Sequence, residues 1–219
     1  MPPLILADGL LLTLVIGREN ALGKNLKDLI LSAFQGGATA LQLREKTLED
    51  RAFYEEALMC AELCRREGRL FIVNNRADIA LAAGADGVHL GEGDLPLEAA
   101  RELLPPPKII GFSASSREKG EEALEKGADY LGVGAIYPSP SKKDAMVLDQ
   151  ERVRELVKLP LPTVGIGGVS LKNAREAWSM GFTGLAVISA VAGADDPRRA
   201  AEALLSLRGR TPNRAGSDP

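Results

Sequence analysis

The chain has 219 residues, with 27 Lys and Arg against 30 Asp and Glu, a formal net charge of −3. That near balance offers no cationic footprint for nucleic acid, and no apolar run reaches the ~18 residues of a membrane-spanning helix. A single domain of this size buries about 70% of its unfolded surface, so neither a structural metal nor a disulfide is needed, and the expected compartment is the reducing cytoplasm.

The start, Met1 to Ile16, is apolar but interrupted by Pro2, Pro3 and Asp8 and lacks a basic leader, so it reads as a lead-in to a first strand over Leu11–Ile16. A helix follows at Leu26–Gln35. Then comes a unit that recurs along the chain: a helix, a glycine and a short apolar strand. Gly37-Ala38-Thr39 leads into Ala40–Leu43, Gly84-Ala85-Asp86 into Gly87–Leu90, Gly127-Ala128-Asp129 into Tyr130–Val133, and Gly181-Phe182-Thr183 into Gly184–Ile188. The glycine falls where a helix C-terminus needs a left-handed residue, and the strands are apolar on both faces, as in a covered parallel sheet. Further strands are expected at Leu70–Val73, Lys108–Ser113 and Pro162–Ile166. Further helices are expected at Leu48–Arg66, Ala77–Ala83, Leu97–Leu104, Arg117–Lys126, Asp149–Lys158, Leu171–Met180 and Pro197–Leu207. Cys60 and Cys64 share one face of the second helix and read as buried apolar residues.

Eight strands thus alternate with eight helices in an α/β pattern. Right-handed crossovers allow a closed barrel or an open doubly wound sheet. The number and even spacing favour a single-domain (β/α)8 TIM barrel over residues 1–207, with a frayed polar tail at 208–219.

In such a barrel the loops after the strands build the site. After the second strand comes Gln42-Leu43-Arg44-Glu45-Lys46, where period 2 puts Gln42, Arg44 and Lys46 on one face, with two cations converging at the mouth. Phosphate would satisfy them, whereas a solvated strand end needs no ligand. Asn74-Asn75-Arg76 follows the third strand. His89 ends the fourth strand and reads as structural, and Glu92 and Asp94 beyond it are oxygen donors suited to Mg²⁺. Pro138–Asp144 brings hydroxyls and lysines. Gly165-Ile166-Gly167-Gly168 and Ile188-Ser189-Ala190 occupy the corner where this fold commonly binds phosphate. There is no Ser or Cys partnered to the lone His and no zinc-type cluster, so charge neutralisation of a leaving group suits the residues better than covalent catalysis.

Taken in order and spacing, Gln42–Lys46, Gly84–Asp94, Gly134–Lys143, Gly165–Gly168 and Val187–Ala190 resemble the thiamine phosphate synthase family, over roughly Leu12 to Leu207. The resemblance implies a TIM barrel that joins hydroxymethylpyrimidine diphosphate to a thiazole phosphate and releases pyrophosphate, with Mg²⁺ as cofactor and possible pairing as a homodimer. It assigns Gln42, Leu43, Arg44, Glu45, Lys46, Asn74, Ser113 and Lys142 to the diphosphate substrate. Of these, Arg44, Lys46, Ser113 and Lys142 would carry the catalysis. It assigns Ser139, Ser141, Gly168, Ile188 and Ser189 to the thiazole phosphate, and Asn75 and Asp94 to the metal.

The chain departs from the family pattern at several places. Asn75 stands where Asp is usual, Ser139 and Ser141 where threonines are usual, and Val15-Ile16-Gly17 in place of Val-Thr-Asp. Ser115 replaces a His. Two rivals therefore stay open: a thiazole tautomerase, whose proton-shuttling His would fall at Ser115, and a phosphate-ligand binder without catalysis.

Overall fold

The computed structural model describes residues 3–138 and 146–209. Eight parallel strands close into a barrel in chain order: β1 (Leu12–Ile16), β2 (Ala40–Leu43), β3 (Leu70–Asn74), β4 (Gly87–Leu90), β5 (Ile109–Ala114), β6 (Tyr130–Val133), β7 (Thr163–Ile166) and β8 (Gly184–Val187). Pairing of Leu14 with Val187 joins the last strand to the first. The helices among the described residues are α1 (Pro3–Gly9), α2 (Leu26–Gln35), α3 (Asp50–Glu67), α4 (Ala77–Ala82), α5 (Leu97–Leu103), α6 (Arg117–Glu125), α7 (Gln150–Leu156), α8 (Ala174–Ser179), α9 (Ser189–Ala192) and α10 (Pro197–Ser206). None is long and apolar enough to cross a membrane.

The repeat has a direct physical basis. Gly37, Gly84, Gly127 and Gly181 all adopt positive φ, between 68° and 95°, a region that side-chain-bearing residues rarely enter. Each lets the chain reverse from helix to strand in a few residues. Caps on the opposite helix ends are built from side chains: Asn25, Ser116, Asp149 and Asp196 each accept from a backbone N–H three residues on.

Strand alternation divides the interior in two. Leu12, Leu14, Ile16, Leu41, Leu43, Phe71, Val73, Val88 and Leu90 face the helices and join the larger core. Val15, Ala40, Leu70, Ile72, Ile109, Tyr130, Val164 and Ala186 fill the barrel itself, together with Leu6 and Leu10 from the N-terminal segment. Full burial of a leucine of this kind contributes about 1.5–3 kcal/mol. Cys60 and Cys64 are free and buried in the helix-side core, and burial pushes the Cys64 thiol up to about 12.

Two elements differ from the sequence expectation. The lead-in contains helix α1, because proline at the first helical positions costs no hydrogen bond. The segment after β8 turns into the four-residue helix α9, which begins at Ser189.

Candidate active site

The residues that point inward change character towards the C-terminal ends of the strands. In-register neighbours place Gln42 beside Val15 and Ile72, Asn74 beside His89, and Ser113 beside Gly132. Together they form the polar floor of a cavity of about 710 Å³ at the mouth. Gln42 Nε2 donates to Asn74 Oδ1 at 2.7 Å, fixing both amides. His89 Nδ1 lies 2.9 Å from Tyr130 Oη and its Nε2 lies 3.0 Å from Ser113 Oγ. Burial pulls the imidazole down to about 4, so it is neutral, with one nitrogen donating and the other accepting. It fixes the Ser113 hydroxyl, so the lone His does have a serine partner, contrary to the sequence expectation. The parallel pairing of β4 with β5 brings these two residues, distant in sequence, together. Side chains at Gly111 and Gly132 would overlap Tyr130 and His89, so these positions make room for the polar chain. Thr13 is also buried against this cavity, and its Oγ1 has no hydrogen-bond partner among the described residues.

A second recess of about 560 Å³ adjoins the outer side and is lined by Arg44, Lys46, Asn74, Asn75, Arg76 and Asp94. Strand β2 ends at Leu43, so Arg44 and Lys46 lie on the loop beyond it rather than on a continued strand face. They converge on the mouth through Glu19, whose Oε1 is 3.5 Å from Arg44 Nη1 and 2.7 Å from Lys46 Nζ. Leu43 is the exception in this segment. Its side chain lies wholly in the helix-side core, so only its backbone is available to a ligand. Glu45 lines the outer recess but directs Oε1 to the Arg18 backbone N–H at 2.6 Å.

Asn75 has φ +66°, a left-handed conformation that Asn tolerates better than most residues, and its N–H donates to His89 O at 2.8 Å. Its Oδ1 accepts from Asn74 Nδ2. Asp94 Oδ2 accepts from the Gly91 N–H at 2.7 Å, which leaves Oδ1 for another partner. Glu92 turns away and pairs with Lys119 of α6 at the surface, so the two acidic residues of this loop do not act together. No group of three or more His, Cys, Asp or Glu gathers among the described residues. One carboxylate and one amide oxygen remain, a donor set that suits a cation completing its shell with water and substrate oxygens.

The opposite side of the cavity is built from backbone. Gly167 and Gly168 have φ of +97° and +67°, and Gly168 packs so closely on Tyr137 and Pro138 that a Cβ would collide with them. Asn173 clamps the turn, accepting from the Ser170 N–H at 2.7 Å and donating to Gly168 O at 2.9 Å. Ile188 and Ser189 line the same cavity from the loop after β8. Ser139, Ser141 and Lys142 lie outside the described residues.

Sequence reading missed Thr13 and Tyr130, which were absorbed into apolar strands, and the contacts of Arg18 and Glu19 after β1. The alternation of Tyr130 with Gly132 was the available signal for an inward aromatic ring.

Comparison with known proteins agrees with this geometry. The family model described as thiamine monophosphate synthase matches residues 12–191. A thiamine-phosphate synthase of Coprothermobacter proteolyticus is 44% identical over 203 residues, covering 92% of this chain and 96% of its own. The solved structure of thiamine phosphate pyrophosphorylase from Pyrococcus furiosus has 42% identity and a TM-score of 0.85, covering 93% of this chain and 97% of that one. A 3-hexulose-6-phosphate synthase structure, with 16% identity and a TM-score of 0.68 over 90% of this chain and 99% of its own, shares the fold alone. On the strength of matches that span nearly the whole barrel, the chain belongs to the thiamine monophosphate synthase family.

Proposed function

We propose that this barrel joins 4-amino-2-methyl-5-hydroxymethylpyrimidine diphosphate to a thiazole phosphate, giving thiamine phosphate and pyrophosphate. It is a transferase of thiamine biosynthesis that acts on small phosphorylated substrates. The observation that carries the reading is one cavity lined by unlike groups: Arg44 beyond β2, and the glycine turn with Ser189.

The chemistry follows from what the cavity holds. The bond between the pyrimidine methylene carbon and the diphosphate oxygen breaks, and its electron pair leaves with pyrophosphate. The thiazole nitrogen then donates its lone pair to the resulting carbocation. No protein nucleophile takes part. Arg44, Lys46 and Lys142 bind the diphosphate and stabilise the charge that grows on it. Ser113, held by neutral His89, and the Gln42–Asn74 pair orient the pyrimidine end, with Leu43 and Glu45 supporting the segment through backbone and loop contacts. Gly168, Ile188 and Ser189, with Ser139 and Ser141, hold the thiazole phosphate. Mg²⁺ would be held by Asp94 and Asn75 and would supply further neutralisation of the diphosphate.

The same reading places the enzyme in the cytoplasm, without nucleic acid or membrane partners. It takes the enzyme to be a homodimer, for which Leu58 of α3 and Leu81 of α4, exposed on packed neighbouring helices, are apolar surface to cover. The direct test incubates the purified chain with both substrates and Mg²⁺ and follows thiamine phosphate and pyrophosphate. Formation of both in equal amounts is expected. No product at any Mg²⁺ or Mn²⁺ concentration, with both ligands still bound, would favour the non-catalytic binder instead.

A further inference from the structure

Arg18, Glu45 and Glu56 meet at the outer lip of the mouth from three separate segments, and no step of the proposed reaction uses Arg18 or Glu56. Arg18 opens a short 3-10 turn after β1, Glu45 follows Arg44, and Glu56 sits on the buried face of α3. Glu45 Oε1 accepts from the Arg18 N–H at 2.6 Å, while Arg18 Nε donates to Glu56 Oε2 at 2.5 Å. The Glu56 side chain is only 4% exposed, and its Oε1 has no hydrogen-bond partner among the described residues. A buried carboxylate oxygen needs such a partner. Glu45 and Glu56 are both bonded to Arg18, one at its backbone N–H and the other at its guanidinium, which brings the two carboxyls together on one residue. One proton between the two supplies the missing bond and removes a like-charge repulsion.

These contacts bear on the cations. A Cβ at Gly17 would overlap Arg44 O and Glu45 Oε1, so the first loop lies directly against the Arg44–Lys46 backbone. Arg44 N donates to Ile16 O at 2.8 Å. Glu19, next to Arg18, pairs with both Arg44 and Lys46. A shift of Arg18 or Glu45 therefore moves the loop that presents both cations.

We propose that Glu45, Arg18 and Glu56 form a proton-sharing clasp that positions Arg44 and Lys46, and that loss of the shared proton weakens their hold on the diphosphate. The proposal rests on the reading of Arg44 and Lys46 as the diphosphate site. Burial and the neighbouring Glu56 push the Glu45 carboxyl up to about 7. The charged groups around it are Arg18 and Glu19 of the first loop, Glu56 of α3, and Arg44 and Lys46 of its own loop. Arg76, paired with Asp50, and Asp94 stand across the outer recess. The Cys60 thiol one turn from Glu56 is pushed well up by burial and stays neutral. When Glu45 ionises, it sets a negative charge beside two phosphate-binding cations and repels Glu56, so affinity falls as pH rises through about 7.

The test uses inorganic pyrophosphate with Mg²⁺ as probe, with affinity measured by calorimetry at about pH 6 and about pH 8.5, either side of the shared titration. Glu56→Gln keeps the shape and removes the like charge, so Glu45, still raised by its burial, ionises at a lower pH than in wild type. The probe's own titration cancels in the ratio of wild type to this variant. Wild type should bind at least ~3-fold more tightly than Glu56→Gln at the lower pH, with the ratio approaching one at the higher. Carboxyl-carbon NMR of glutamate-labelled protein should show one glutamate titrating near 7 in wild type, and the same resonance titrating at lower pH in Glu56→Gln. A ratio that does not change with pH, or no such resonance in wild type, overturns the clasp, and the wild-type titration decides even if the variant does not fold. Arg44→Ala separates the underlying reading, and it should weaken pyrophosphate at least ~10-fold. Undiminished binding by this variant would overturn the diphosphate site and the clasp's positioning role together, while the NMR result would still report the shared proton.

Discussion

The two sides of the mouth, proposed to hold the two phosphate groups, are built by different means. After β2 and β3 the lining is made of side chains, with Arg44 and Lys46 drawn together by Glu19 and side-chain oxygens supplied by Asn75 and Asp94. After β7 and β8 it is made of shape: two glycines at positive φ, a turn clamped by Asn173, and the start of α9. The first side depends on charge at a few atoms and is tuned by single substitutions. The second depends on backbone amides brought close to the ligand, and tolerates changes of side chain only where they do not intrude. The division also matches the ligands, because a departing diphosphate gains charge during the reaction and a spectator monophosphate does not.

The sharpest way to break this contrast is Arg44→Ala. It should lower turnover at least ~10²-fold, because a cation that stabilises growing charge in a water-poor site contributes several kcal/mol. Titration of the thiazole phosphate alone should be nearly unchanged, and circular dichroism should report a folded barrel. Equal loss of both ligands would mean the two sides do not act separately.

Ser189→Asp probes the other side. A carboxylate at the head of α9 repels a monophosphate, and the expected loss is ~10-fold or more in thiazole phosphate affinity, with little change for the diphosphate substrate. Paired titrations with the separate ligands decide it. Asn173→Ala sharpens the same point without introducing charge. It frees the Gly167–Ser170 turn, so the KM for the thiazole phosphate should rise ~3- to 10-fold at nearly constant kcat, as expected when binding alone is lost.

The smallest effect returns to the charged side. Asn75→Asp restores a negative oxygen and should lower the Mg²⁺ concentration for half-maximal rate a few-fold, roughly 3-fold, since substrate oxygens already provide much of the shell. An enzyme that works only after this substitution would mean the native chain has lost the reaction.

The barrel was legible because each repeat marks its own boundary. Gly37, Gly84, Gly127 and Gly181 carry the reversal, and the apolar strands that follow them were placed to within a residue. Helix α1 was hidden by Pro3, which acts as a breaker inside a helix but is tolerated at its start. The cations at 44 and 46 could be read from local order, although β2 ends before them. The bond between Arg18 and Glu56 spans 38 residues and leaves no local trace. Neither does the turning of Glu92 towards Lys119, since it depends on the direction of a side chain after its strand has ended.

Leu6 and Leu10 have a consequence for traffic. They pack into the N-terminal end of the barrel with Leu70 and Ile109, so that, among the described residues, the cavity lies at the C-terminal ends of the strands. Both substrates and both products must then share a single doorway. Whichever ring rests on the floor beside Thr13 and Tyr130 has to arrive before its companion, and the two rings leave joined, as one product. Such a blind-ended vessel imposes a queue, and with no covalent way station on the protein, the queue must be complete before any bond is exchanged.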